Sequence, residues 1–251
     1  MLDAEKRSCA WVRAVPGLVC AAMLAVPPAA ALDVRYVDTD GDLVADTPAK
    51  TVDPPTLIFA YTPGEDPASY QRVWDDFLQH LEKTTGKRIR LFAAQNNAAQ
   101  IEAMRAGRLH IAGFGTGTVP IAVNCAGFVP FAIMGGEKGI LGYEMEIIAA
   151  AIANEVMHRM MARDVVKKDQ IVTVYKSETF PTAAFGLAHN LDPAVAAKVR
   201  AAFLSYPWAG TGLEKEFSSL GVSKFVPITY QKDWAVVRKV DAAMNVSYDC
   251  K

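Results

Sequence analysis

The stretch Leu57-Ile58-Phe59-Ala60-Tyr61 decides the fold. It is a short apolar run closed by the loop-forming Thr62-Pro63-Gly64-Glu65-Asp66-Pro67, which fits a buried strand and the turn that leaves it. Beyond the loop, Tyr70, Val73, Trp74, Phe77, Leu78 and Leu81 recur at the spacing of one helix face, and Gly86 ends that helix. Arg88 to Ala93 then reads as a second strand, Asn97 to Ala106 as a second helix stopped by Gly107, and Leu109 to Phe114 as a third strand. Strands alternating with helices in this order predict an α/β fold with a mostly parallel sheet and helices on both of its faces.

Working toward the C-terminus, Phe128 to Met134 and Tyr143 to Ile148 read as strands, Ala150 to Met161 as a helix and Ile171 to Tyr175 as another strand. A strand at Ala183 to Ala188 follows. Asp192-Pro193 then opens a helix, with the carboxylate as cap and the proline in the first turn. The remainder, through Trp208 and Trp234, reads as helical turns and a tail that packs back on the first part of the chain.

Upstream, Asp33 to Pro55 is polar, rich in Asp and Pro, and reads as a surface arm. Its Asp38-Thr39-Asp40-Gly41-Asp42 has the start of a calcium loop, but Ala49 stands where the bidentate Glu is needed, so a solvated turn is the expectation. Ahead of the arm, Lys6, Arg7 and Arg13 precede the apolar run Val15 to Val26, and Ala29-Ala30-Ala31 follows Pro27 and Pro28. That is the layout of a secretory signal peptide cut after Ala31, since the run falls short of the ~20 residues of a membrane span. Cys20 has Val19 before it rather than a small residue, which speaks against lipid attachment.

Removing the leader leaves Cys125 and Cys250 of the four cysteines, an even pair for an oxidising compartment. They form a disulfide tying the tail to the body, or Cys125 is a buried apolar residue and Cys250 frays with the terminus. Neither a CxxC nor a Cys/His spacing for zinc is present. The net charge of −1 is spread without a basic patch, which argues against nucleic acid as a partner, and 51% hydrophobic residues support a packed core.

In open α/β sheets ligands sit beyond the carboxyl ends of the strands, so the loops after Tyr61, Ala93 and Phe114 carry the functional reading. The third is Gly115-Thr116-Gly117-Thr118-Val119-Pro120. Its glycines admit a close ligand, its threonines offer hydroxyls, and Pro120 marks the first turn of a helix whose unpaired N–H groups suit an oxyanion. An ordinary strand-to-helix turn capped by Thr118 is the plainer alternative. Tyr61 and Thr62 stand at the same edge as further hydrogen-bonding candidates. Ser177 and Thr179, in Tyr175-Lys176-Ser177-Glu178-Thr179-Phe180-Pro181, line a cleft or cap a turn. His80, His110, His158 and His189 lie in no catalytic motif, and the sequence holds no nucleophile elbow, P-loop or dinucleotide fingerprint, so neither catalysis nor a cofactor is expected.

Several long stretches resemble the phosphate/phosphite/phosphonate substrate-binding proteins of ABC importers, which have the periplasmic type-2 binding fold. They are Thr56 to Pro63, Gln100 to Leu109, Ala112 to Pro130, Ala151 to Met157, Tyr175 to Pro181 and Val246 to Cys250. The resemblance implies a two-lobed clamp that closes on a small phosphorus oxyanion, works in the periplasm as a monomer and docks on a permease in the inner membrane. On that plan residues 56–142 and 177–251 build the first lobe, after a leader at 1–31 and an arm at 32–55. Residues 143–176 hold the two crossing strands and what remains of the second lobe. Only Ala149 to Gln170 lies between those strands, where a lobe with its own core needs at least ~50 residues. The family's second-lobe motifs are missing, and an internal deletion with its join near Ile148-Ala149-Ala150 accounts for this. The expectation is one near-complete lobe and a largely deleted second one. Half of the anion site is then kept by Tyr61, Thr62, Thr116, Gly117 and Thr118, with Ser177 and Thr179 at the hinge. Such a chain is an impaired receptor or, alternatively, a degenerate one acting as an interaction or sensor protein.

Overall fold

In the computed structural model, residues 51–62, 67–147, 151–153, 171–248 and 250, with positions 157, 160, 161, 163–167 and 169, are described. The leader, the calcium-loop-like turn and the join at Ile148-Ala149-Ala150 lie outside them. The chain divides into two units, residues 1–31 and 32–251, and all that follows concerns the second.

The elements in order are β1 (Thr56–Ala60), α1 (Pro67–Thr85), β2 (Arg88–Leu91), α2 (Asn97–Arg105), β3 (Ile111–Gly115), α3 (Val119–Ala126) and β4 (Phe128–Gly136). Five short strands follow: β5 (Gly139–Ile140), β6 (Gly142–Tyr143), β7 (Met145–Ile147), β8 (Ala151–Ala153) and β9 (Tyr175–Lys176). The chain returns through β10 (Phe180–Pro181) and β11 (Ala183–Ala188), then α4 (Pro193–Leu204), α5 (Gly212–Phe217), β12 (Lys224–Pro227), α6 (Tyr230–Asp233) and α7 (Ala235–Ala243).

The main sheet runs β12-β4-β11-β3-β1-β2, with β5 paired to β4. It is parallel where the β-α-β-α-β reading applies, through β2-β1-β3. Strand β11 arrives from the far part of the chain and pairs antiparallel with both β3 and β4. Because β11 runs against β3, its first residue, Ala183, stands opposite Gly115 at the carboxyl end of β3. The geometry therefore brings the start of the return segment to the edge where the loops after β1 and β3 emerge.

Alternation along the strands divides the core between the two faces. Phe59 and Phe185 point to one side, where Trp74 and Phe77 of α1, Phe203 of α4 and Phe225 of β12 meet them. Ala60, Phe114 and Ala184 point to the other, against Met104 of α2, Val123 of α3 and Trp234. Each large side chain buried in this way stabilises the fold by about 1.5–3 kcal/mol.

The segment between β6 and β10 departs from the sequence reading in two places. Ala151–Ala153, expected as the start of a helix, is strand β8, paired antiparallel with Met145–Ile147, whereas Met157, Met160 and Met161 are helical. The open edge of β7 overrides the intrinsic helix preference of alanine. The strand expected at Ile171 to Tyr175 is regular only at Tyr175–Lys176, since Ile147 and Glu146 are its partners on β7. Val172, Val174 and Tyr175 are left 77%, 71% and 58% exposed. Strand β12 was not legible in the sequence at all; it is ordered by pairing with Ala132 to Gly135 of β4.

Candidate functional site

The loop Gly115 to Thr118 leaves β3 and enters α3, an eight-residue helix with Pro120 in its first turn and Gly127 closing it at a φ of 62°. The turn is set by a hydrogen bond from Thr118 N to Gly115 O of 2.9 Å. Thr118 occupies the N-cap position but its side chain makes no capping bond, so its hydroxyl is not drawn into the helix end. Gly117 is exposed beside it. A helix N-terminus with a glycine and an uncommitted hydroxyl presents donors and the positive end of the backbone dipole, as an oxyanion requires.

Thr116 has a different character. It is 7% exposed, and each of its polar groups is engaged. Its N–H donates to Thr182 O at 3.0 Å, and its carbonyl accepts from the Trp234 indole N–H at 3.1 Å. Its Oγ1 lies 2.6 Å from Pro181 O and 3.0 Å from the Tyr143 hydroxyl, and also contacts Thr182 O.

Tyr61 and Thr62 end β1 at the same edge. The Tyr61 ring is half-buried, stacked on Phe185 at 5.7 Å and tilted against Trp74 at 4.8 Å. Thr62 Oγ1 donates to Gly113 O at 3.3 Å, and Gln100 Nε2 donates to the same carbonyl at 2.9 Å. Gln100 is fully buried, and its Oε1 has no partner among the described residues.

Ser177 and Thr179 lie on the return segment. Ser177 Oγ donates to the adjacent Glu178 O at 2.8 Å, and Thr179 Oγ1 lies 3.5 Å from Glu144 Oε1. Glu144 also carries an ion pair with Lys176 at 2.7 Å. These contacts sit beside the β6–β10 pair, where Phe180 pairs with Tyr143 and Pro181 with Gly142. The edge thus collects Tyr61, Thr62 and the 115–118 loop directly. Ser177 and Thr179 are linked to it through β6 and β10, whose Tyr143 and Pro181 touch Thr116.

Three residues at this edge were missed by sequence reading: Tyr143, Trp234 and Gln100. The first two act through Thr116 from 27 and 118 residues away, and no local spacing announces such a contact.

Elsewhere, an open groove of about 650 Å³ lies between α1 and the edge strand β2. Asp75 and Glu82 line it with Arg90, a charge balance that repels an oxyanion. Among the described residues no group of His, Cys, Asp and Glu is placed to hold a metal, and no helix is long and apolar enough to cross a membrane. Cys125, in the last turn of α3, is joined to Cys250 by a disulfide with the Cα atoms 5.2 Å apart.

A family model described as ABC transporter, phosphonate, periplasmic substrate-binding protein matches the chain over residues 59–153 and 146–234. The chain is similar to the phosphate-import protein PhnD of Mycolicibacterium smegmatis, with 32% identity over 100 residues, which is 39% of this chain. It spans only 31% of the length of that curated relative. Among solved structures it is similar to a binding protein component of an ABC phosphonate transporter from Pseudomonas aeruginosa, with TM-score 0.59 and 19% identity over 77% of this chain and 87% of that one. It is also similar to PhnD1 of Prochlorococcus marinus, solved with methylphosphonate, with TM-score 0.57 and 8% identity over 77% of this chain and 99% of that one. At such identities the structural likeness speaks for the fold, and the family match speaks for descent. With the parallel strands, the return strand and the loop at the α3 N-terminus all in place, the chain belongs to the phosphonate periplasmic substrate-binding proteins of ABC transporters.

Proposed function

We propose that this protein captures a small phosphorus oxyanion, a phosphonate, phosphite or phosphate, in the periplasm for an ABC permease, and that it does so weakly. The observation that carries the reading is the loop at the α3 N-terminus, where Gly117 is exposed and the Thr118 hydroxyl is left uncapped. Charge-assisted hydrogen bonds from such donors are roughly twice as strong as neutral ones. The relatives support the ligand class: one is named for phosphate import and another was solved with methylphosphonate.

Weak binding follows from what faces the loop. Between β7 and β9 the chain spends only residues 148–174, against the ~50 or more that a lobe with its own core requires. The two family-model matches overlap at residues 146–153, which fits an internal deletion at the outward crossing strand. A clamp gains affinity by enclosing its ligand from both sides, and one lobe supplies half of the donors. The exposed Val172, Val174 and Tyr175 favour a second reading, that the chain is a degenerate receptor acting as an interaction or sensor protein.

Isothermal titration of residues 32–251 with phosphate, phosphite and methylphosphonate, beside a thermal melt, tests the proposal. Binding in the high-micromolar to millimolar range by a folded protein is expected. Tight binding would remove the argument for impairment, and a folded protein that ignores all three ligands would favour the second reading.

A further inference from the structure

We infer that Thr116 is a positioning residue, through which Tyr143, Trp234 and the return strand hold the oxyanion loop in a fixed pose before any ligand arrives. A threonine hydroxyl has one proton to donate and can accept in return. Around Thr116 Oγ1 stand two carbonyls, of Pro181 and Thr182, which only accept, and one hydroxyl, of Tyr143, which can donate. The arrangement that satisfies all of them is directional: Tyr143 O–H donates to Thr116 Oγ1, whose own proton goes to the carbonyls of the return strand. That proton is then spent inside the protein, and an oxyanion is served by Gly117 and Thr118 instead.

The consequence for the loop is mechanical. Thr116 is held at its N–H by Thr182, at its carbonyl by the Trp234 indole and at its hydroxyl by both β6 and β10. With the preceding residue fixed at three points, the peptide groups of Gly117 and Thr118 have little freedom to turn away from the α3 axis. β6 and β10 are themselves paired, Phe180 with Tyr143 and Pro181 with Gly142, and the Tyr143 and Phe180 rings meet edge-on at 4.8 Å. A displacement of this pair therefore reaches the loop through Thr116, at its side chain and at its N–H.

The ligand-binding part of this inference rests on the proposed function, whereas the ordering of the loop does not, and the test keeps them apart. Tyr143→Phe removes the hydroxyl and retains the ring that packs on Phe180. In protein free of added anion, amide hydrogen exchange across residues 115–120 is expected to quicken by about tenfold, with the melting temperature little changed. Thr116→Val is expected to act in the same direction and Thr116→Ser to restore slow exchange, a rescue that loss of packing alone would not show. Where wild type binds methylphosphonate, Tyr143→Phe is expected to weaken binding several-fold with a larger entropic penalty. Unchanged exchange across 115–120 in Tyr143→Phe would overturn the inference. Quickened exchange in a protein that binds no oxyanion would uphold the positioning role and remove the proposed function.

Discussion

Cys125 and Cys250 stand 125 residues apart in the chain and share a disulfide, so the C-terminal tail is stapled to the last turn of the helix whose first turn borders the Gly115 to Thr118 loop. A cross-link closing so long a loop restricts the unfolded chain strongly, and its removal lowers stability by about 2–4 kcal/mol. Cys250→Ser, or reduction of the native protein, is expected to lower the melting temperature by roughly 5–15 °C. An unchanged melt in reductant would show that the tail contributes nothing to the fold.

Acid should loosen the sheet through His110. Its Nδ1 accepts the Ile58 N–H at 3.0 Å, which requires a neutral ring with the proton on Nε2, while the His110 backbone N–H donates to Ile58 O at 3.1 Å. Burial holds its pKa below the usual 6.5, and burial lowers His189 as well. A depressed folded-state pKa means that the unfolded chain takes up the proton first, so stability is whole above pH 6.5 and falls as the pH drops through the folded-state value. Denaturant midpoints measured between pH 7.5 and 5 should decline, and His110→Asn should flatten part of that slope. A pH-independent midpoint would contradict this.

Thr118→Val separates binding from folding. The hydroxyl makes no cap bond, so the helix loses nothing with it, and the melt should stay within about 0.5 kcal/mol of wild type. A hydrogen bond to a charged group contributes about 1.5–3 kcal/mol, so methylphosphonate affinity should fall by roughly ten- to a hundredfold. Equal affinity in the variant would take Thr118 out of the site.

Phe77 is the test of the core. It is fully buried, with Phe203 at 4.7 Å, Tyr206 at 5.1 Å and Phe225 at 5.3 Å around its ring. Phe77→Ala should destabilise the protein by about 3–5 kcal/mol, because neighbours drawn from α4 and β12 cannot close over the cavity together. Chemical denaturation would measure it, and a loss below about 1 kcal/mol would show this aromatic cluster to be loosely packed.

Gly142→Ala strikes the β6–β10 pair. A Cβ there would stand 2.4 Å from Thr179 Cγ2 and 2.8 Å from Phe180 O, the latter backbone that cannot move aside alone. The β6–β10 pair should open at an overall loss of about 1–3 kcal/mol. Limited proteolysis is expected to cut near residues 177–181 first, and an unaltered cleavage pattern would show that the pair tolerates the methyl group.

What the sequence disclosed follows the range of the interactions. Leu57 to Tyr61, the Tyr70 to Leu81 helix face and the Asp192 cap are local patterns, and the structure has β1, α1 and α4 there. The loop after Phe114 was legible because glycines, threonines and a proline at a strand-to-helix turn are also local. The role of Thr116 was not, since its partners lie 27, 65, 66 and 118 residues on. The two- and three-residue strands β6 to β10 are set by available edges rather than by their own composition, so periodicity misassigned Ala151–Ala153 and overextended the strand at Tyr175.

The place of β11 in the sheet also sets a timetable. Strands β3 and β4 lie close in the chain yet do not pair with each other; each pairs with β11, which enters between them from residues 183–188. During synthesis, both stay without their shared neighbour until Ala188 has been made, when about three-quarters of the chain already exists. Folding of the sheet is therefore a late event, and a translocation machinery that threads unfolded polypeptide would meet a chain whose centre has not yet closed.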